Sequence, residues 1–326
     1  VGIEPWPVPP VRAREDGSPR RVGVEIELQG IRVAELAELV AGVLGGEWEE
    51  RSSAEYRVID RAERPWRVEV DFQLLKELAE QATEDEPFRN LLVDALGAAS
   101  SLVVPCEIVS PPLPVTDLSD SLGRLAESLH EAGARGTRHT PWYAFGVHLN
   151  VDPPDLETGT LLAYLRAFIC AYDWLVWHGR VDPARRLTPY IDAYPRAYDL
   201  LVTDPEYAPD RQLLIDDYLA HNPTRNRALD LLPLLMHVNG PRVRSVVDDP
   251  LVKPRPALHY RLANSSLDEP DWSLRQPWTE WVALERLASD ADALEACCIA
   301  FRRHREQLLH PVRSAWRKEV ARWLDP

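Results

Sequence analysis

Glu25 and Glu27, Glu69 and Asp71, His148, Asn150 and Asp152, and His259 and Arg261 stand two residues apart within each group, and Glu107 sits between Cys106 and Ile108. Carboxylate oxygens and imidazole nitrogens at this density are the donors that hold hard or borderline divalent cations; Mg²⁺ takes oxygen ligands at about 2.0–2.1 Å and usually shares them with nucleotide phosphates. A guanidinium cannot ligate a metal. Its planar fork suits a phosphate or a carboxylate, so Arg261 points to an anion beside the cation site. Unneutralised carboxylates so close together would repel one another, which makes a bare acidic cleft unfavourable.

Spacing of two is the period of a β-strand, whose successive side chains face opposite ways. Val22–Gln29 alternates Val24, Ile26 and Leu28 against Glu25 and Glu27. Arg67–Phe72, Leu102–Val109, Phe145–Asp152 and Leu258–Leu262 alternate in the same way. Each reads as a half-buried antiparallel strand. One such strand means little, but five in one chain imply a sheet whose polar face is a cation-filled cleft. Residues at i and i+2 lie about 6.5–7 Å apart along a strand, so their side chains can converge on one metal or serve two.

The chain has 326 residues, a formal charge of −15 and a pI near 5.1. That acidity argues against a general nucleic-acid binder, which needs a basic surface. The four cysteines have neither zinc spacing nor a disulfide framework, so buried free thiols in a reducing cytoplasm are expected. The most apolar helix candidate, 161–177, carries Arg166 and Asp173 and reads as a core helix, giving no membrane partner. Self-association into a homo-oligomer is left open.

Residues 1–20 hold five prolines and read as an arm, followed by one domain over 21–326 with a helical C-terminal portion. Helices are expected over 31–44, 74–82, 88–99, 117–131, 157–177, 210–220 and 225–237, and from Trp278 onward. Residues 180–210 read as an ordered functional loop. There is no glycine-rich phosphate loop of either common type. The element order does not alternate strand and helix regularly, so the fold class is α+β, with helices on the apolar face of an antiparallel sheet. Trp278 with Trp281, and Trp316 with Trp323, are spaced as core stripes.

Three blocks, G-V-E-I-E (Gly23–Glu27), E-I-V-S-P-P-L (Glu107–Leu113) and F-G-V-H-L-N-V-D (Phe145–Asp152), resemble the amidoligase family, carboxylate–amine ligases related to glutamine synthetase and γ-glutamylcysteine ligase. The likeness spans about residues 20–287. It implies a curved, glutamine-synthetase-like half-barrel with ATP and Mg²⁺ or Mn²⁺ in its mouth, and amide formation through an acyl phosphate. It further implies Glu25, Glu27, Glu107 and His148 as metal ligands, with His148 and Asn150 toward the nucleotide. Arg261 falls on the arginine that stabilises the transferring phosphoryl group. Asp71, closing a W-x-V-x-x-D segment, is assigned with it to catalysis.

One position departs from the family: His259 stands where glutamate is usual, in H-Y-R rather than E-F-R. As a fifth metal ligand it should favour Mn²⁺ over Mg²⁺ and lose affinity below neutral pH as the imidazole protonates. Arg185, Arg186 and Tyr190 are candidates for a carboxylate substrate, and Arg242 and Arg244 for phosphates. The substrates would be a small-molecule or peptide acid and an amine. Two other functions fit the same residues: an ATP phosphotransferase on the same fold, or a catalytically degraded protein that binds a metabolite or peptide.

Overall fold

The computed structural model describes residues 5–72, 104–137, 145–187, 191–306 and 313–324. The helices expected over 74–82 and 88–99, and Tyr190, lie outside the described residues. In chain order the elements are β1 (Arg21–Leu28), α1 (Val33–Leu44), β2 (Glu47–Ser52), β3 (Glu55–Ile59), β4 (Pro65–Val70), β5 (Cys106–Val109), β6 (Leu113–Pro114), α2 (Leu118–Glu131), β7 (Gly146–Val151) and α3 (Thr158–His178). Then follow α4 (Pro183–Leu187), α5 (Arg196–Val202), α6 (Arg211–His221), β8 (Leu229–Asp230), α7 (Leu232–Arg244), β9 (Leu258–Asn264), α8 (Arg275–Ser289), α9 (Ala291–Glu306) and α10 (Arg313–Leu324).

The strands form one open antiparallel sheet in the order β2-β3-β4-β5-β1-β7-β9-β8, with β6 also paired to β1. The architecture is α+β, and the sheet is not closed into a barrel. Alternation decides which face is dry: Val22, Val24, Ile26 and Leu28 of β1 are at most 2% exposed, while Glu25 and Glu27 between them face the other side. α1 packs against β2 and against the dry face of β3 and β4, and ends at Gly45, whose φ of 64° is the left-handed conformation that glycine adopts at least cost. α3 is long and apolar enough to cross a membrane by composition, yet it packs against α8, α9 and α10, and its most apolar window is 61% buried. It is a core helix, each buried Leu or Phe contributing about 1.5–3 kcal/mol.

Two expectations are corrected. A helix over 225–237 gives way to β8 and then α7, because Pro233 is suited to the first turn of a helix and to no later position. α7 is itself broken at Asn239, just ahead of Pro241. Residues 180–210 are not only loop; they contain α4 and α5.

The N-terminal arm lies over the sheet's end. Trp278 Nε1 donates to Pro7 O at 2.8 Å, and Arg14 pairs with Asp152. The fully buried Arg20 meets Glu285 in a bidentate pair at 2.7 and 2.8 Å and also donates to the carbonyls of Asp152 and Val11. Trp281 Nε1 donates to the same Glu285 carboxylate at 2.7 Å. Arm, β1 and α8 are thus joined at one desolvated ion pair.

Candidate metal and anion site

Register brings the acidic side chains into rows. Glu27 of β1 is opposite Glu107 of β5, Glu107 is opposite Glu69 of β4, and Glu69 is opposite Glu55 of β3. On the other side of β1, Glu25 is opposite His148 of β7, and Asn150 is opposite His259 of β9, which is opposite Asp230 of β8. Carboxylates therefore lie across β3, β4, β5 and β1, while imidazoles and a guanidinium lie across β7 and β9, with the carboxylate of Asp230 beyond them on β8.

The two halves meet at β1 and β7. His148 reaches Glu25 Oε2 with Nδ1 at 3.1 Å and Glu27 Oε1 with Nε2 at 3.6 Å. Asn150 Nδ2 donates to Glu25 Oε1 at 2.9 Å, so its Oδ1 is left to accept from His259 Nδ1 at 2.7 Å. Each imidazole is oriented through Nδ1, an arrangement that leaves Nε2 with the lone pair a cation uses. The backbone N–H of Gly146 donates to Glu27 Oε2 at 2.6 Å. Ligand atoms of Glu25, His148 and His259 lie within 4.8 Å of one another, as do those of Glu27, Glu107 and His148. His148 belongs to both groups.

The charges are unequally settled. Burial pushes Glu25 up, but the hydrogen bond from His148 and the nearby His259 and Arg255 outweigh it and hold its carboxyl well below the usual range. Burial, then Glu25, Asp71, Glu27 and Glu69, pushes Glu107 well above that range. Burial lowers His259 well below the ordinary imidazole value despite Glu25 beside it. The neutral imidazole is the ligating form, so this shift moves the expected loss of metal affinity to lower pH. A divalent cation fits the donor set: both donor types are present in two triads, and it would offset the burial and the repulsion that raise Glu107.

Arg261 donates to Arg225 O at 2.7 Å, while its buried Nε has no hydrogen-bond partner among the described residues. An anion would satisfy such a donor. Asp71 closes the acidic side, beyond β4, with its N–H on Pro105 O at 2.9 Å. Asp152, in phase with His148 and Asn150, is instead buried, pairing with Arg14 and accepting from Arg21 N at 2.9 Å. Arg242 is engaged by Asp216, and Arg244 by the carbonyls of Asp249 and Val252. Arg186 is exposed.

Two residues of this cleft, Arg255 and Asp230, escape sequence reasoning, and Arg185 takes a different place from the one expected. Arg255, half exposed just before β9, donates to Glu25 Oε1 at 3.2 Å and to Asn150 Oδ1 at 3.3 Å. Arg185, a candidate above for a substrate carboxylate, is 3% exposed and sits beside Glu27. Burial lowers its pKa to about 10 despite that neighbour. Asp230 is 2% exposed, and burial pushes its pKa up to about 7. The prolines flanking Arg255 were the one available signal, since they fix its backbone near the strand end.

A family model described as "Putative amidoligase enzyme" matches residues 18–283, which include every residue of the cleft. No curated protein matches the chain.

Proposed function

From the chain's membership of the amidoligase family, we propose that it is an ATP- and divalent-metal-dependent ligase that joins a carboxylate to an amine through an acyl phosphate. The observation that carries this reading is the pair of donor triads sharing His148 on the polar face of the sheet. Glu25 with His259, and Glu27 with Glu107, would hold Mg²⁺ or Mn²⁺, with the single lone pair of His148 serving one of the two positions; such ions neutralise phosphate oxygens. We further propose that the open sheet is a relative of the glutamine-synthetase half-barrel. The unpaired buried thiols suit the reducing cytoplasm.

The chain's own residues divide the remaining work by charge. Arg261, with its unsatisfied Nε, and Arg255, at the mouth, offset the charge of the phosphoryl group as a carboxylate oxygen displaces ADP. Asn150 orients His259 and Glu25. Amine attack on the acyl carbon then expels phosphate and releases one proton, and Asp71, on the acidic side, accepts it. A neutral, oriented His259 in place of glutamate keeps a donor at that position while removing one negative charge, which favours Mn²⁺.

The test is phosphate release with mass detection of conjugates, across a matrix of carboxylic acids and amines including amino acids, polyamines and short peptides. Phosphate should appear only when acid, amine, ATP and metal are all present, together with a product lighter than acid plus amine by one water. Transfer of phosphate to a single substrate as a stable product would make the protein a phosphotransferase instead.

A further inference from the structure

β7 and β9 do not pair evenly. Val147 is opposite Ala263 and Leu149 is opposite Tyr260, so Arg261 and Leu262 together face His148 alone. This is a bulge. It places an extra residue on β9 at the point where His148 and Arg261 enter the cleft, and it breaks the regular ladder there.

The carbonyls around that bulge converge on one guanidinium from another element. Arg185, on the single turn α4, donates through Nη1 to Leu262 O at 2.8 Å and to Ala263 O, and through Nη2 to Arg261 O at 2.9 Å. Space for it is made from β7: a Cβ at Gly146 would collide with Arg185 Nη2 and lie 3.2 Å from His148 Nε2. The same Gly146 donates its N–H to Glu27. Arg185 therefore touches the bulge on one side and abuts the glycine between His148 and Glu27 on the other.

We propose that Arg185 is a positioning residue. Its fork holds the β9 bulge, and through it sets His148 and Arg261 toward the metal ligands of the cleft. The inference rests on the metal reading given above. An alternative role has the opposite sign: a buried cation beside Glu27 repels a metal, so if Arg185 were only a charge, deleting it would tighten metal binding.

The experiment measures Mn²⁺ binding by calorimetry, and backbone hydrogen exchange over 258–264, in the wild type, Arg185→Lys, Arg185→Met and Gly146→Ala. Lysine keeps the charge but not the three-carbonyl fork. Gly146→Ala keeps the arginine and pushes it off its seat. All three variants should bind Mn²⁺ about 10–100-fold more weakly, the usual cost of losing a residue that orients ligands. Exchange should quicken over 258–264 and stay unchanged in α3 and α8. Wild-type affinity in Arg185→Lys, or tighter binding in Arg185→Met, would overturn the proposal. So would global loss of fold in both Arg185→Lys and Gly146→Ala, which would assign the arginine to overall stability. If the wild type itself binds no Mn²⁺, the metal reading falls, and the exchange data alone still decide whether Arg185 holds β9.

Discussion

Asp230 offers a sharp test of the cleft's electrostatics, because a single oxygen-to-nitrogen change removes its charge. It lies at the end of the two-residue strand β8, opposite His259, and its Oδ1 accepts from Leu232 N at 2.9 Å. Burial raises its pKa from 3.8 to about 7, with Arg261 and Arg225 only partly opposing. The sign follows directly. Between these two values the unfolded chain has lost the proton that the folded chain keeps, so stability falls as pH rises, by about 1.4 kcal/mol per unit. The whole window is about three units wide, or about 4 kcal/mol.

Asp230→Asn removes that slope while keeping the acceptor for Leu232. Its new N–H₂ group, if unpaired, costs about 1–3 kcal/mol, a penalty that does not vary with pH. The difference in stability between variant and wild type should therefore climb steadily in the variant's favour from pH 4 to 7 and level off above. For a chain of this size 4 kcal/mol corresponds to about 6 °C in midpoint, from the entropy of unfolding per residue. Urea and thermal unfolding of both proteins in chelator at pH 5, 6, 7 and 8 gives the comparison. Stability differences that stay constant with pH would refute the assignment of a buried, raised carboxyl to Asp230.

Glu285→Gln should cost about 3–5 kcal/mol by urea unfolding, because it strands the buried Arg20 charge; a loss under 1 kcal/mol would show that the pair is not the keystone of arm, sheet and α8. Glu27→Gln should abolish metal-dependent ATP turnover while leaving the metal-free fold as stable or slightly more so, since it thins a repulsive cluster; a variant that unfolds would make Glu27 structural. His259→Glu should move the turnover preference from Mn²⁺ toward Mg²⁺. In the wild type, any loss of Mn²⁺ affinity on account of His259 should come at lower pH than an ordinary imidazole titrates, and identical metal preference in the two proteins would remove it from the ligand set.

The polar face of the sheet was legible because alternation is local: Glu25 and Glu27 announce their shared phase within eight residues, and their dry neighbours confirm it. The same logic did not decide the place of Asp152. It keeps phase with His148 and Asn150, but the arm folds back over it and supplies Arg14, a contact 138 residues distant that no periodicity encodes. The burial of Arg185 against β9 was illegible for a similar reason. In sequence it is one of two adjacent arginines on a short turn, and only the room left by Gly146 and the open carbonyls of β9 make it a buried residue. Asp230 lies on a strand too short to show a period, inside a run of leucines that reads as helix until Pro233 is given its position. Arg255 joins the cleft because the chain before β9 passes its mouth.

The central claim is that one cleft, built by Glu25, Glu27, Glu107, His148 and His259, holds divalent metal together with nucleotide. Calorimetric titration of ATP into the protein in the presence of Mn²⁺, in chelator, and with Glu27→Gln tests it most directly. Saturable ATP binding that needs the metal and is lost or strongly weakened in Glu27→Gln is the expected result. ATP binding that is equal with and without metal, or unchanged in Glu27→Gln, would contradict it.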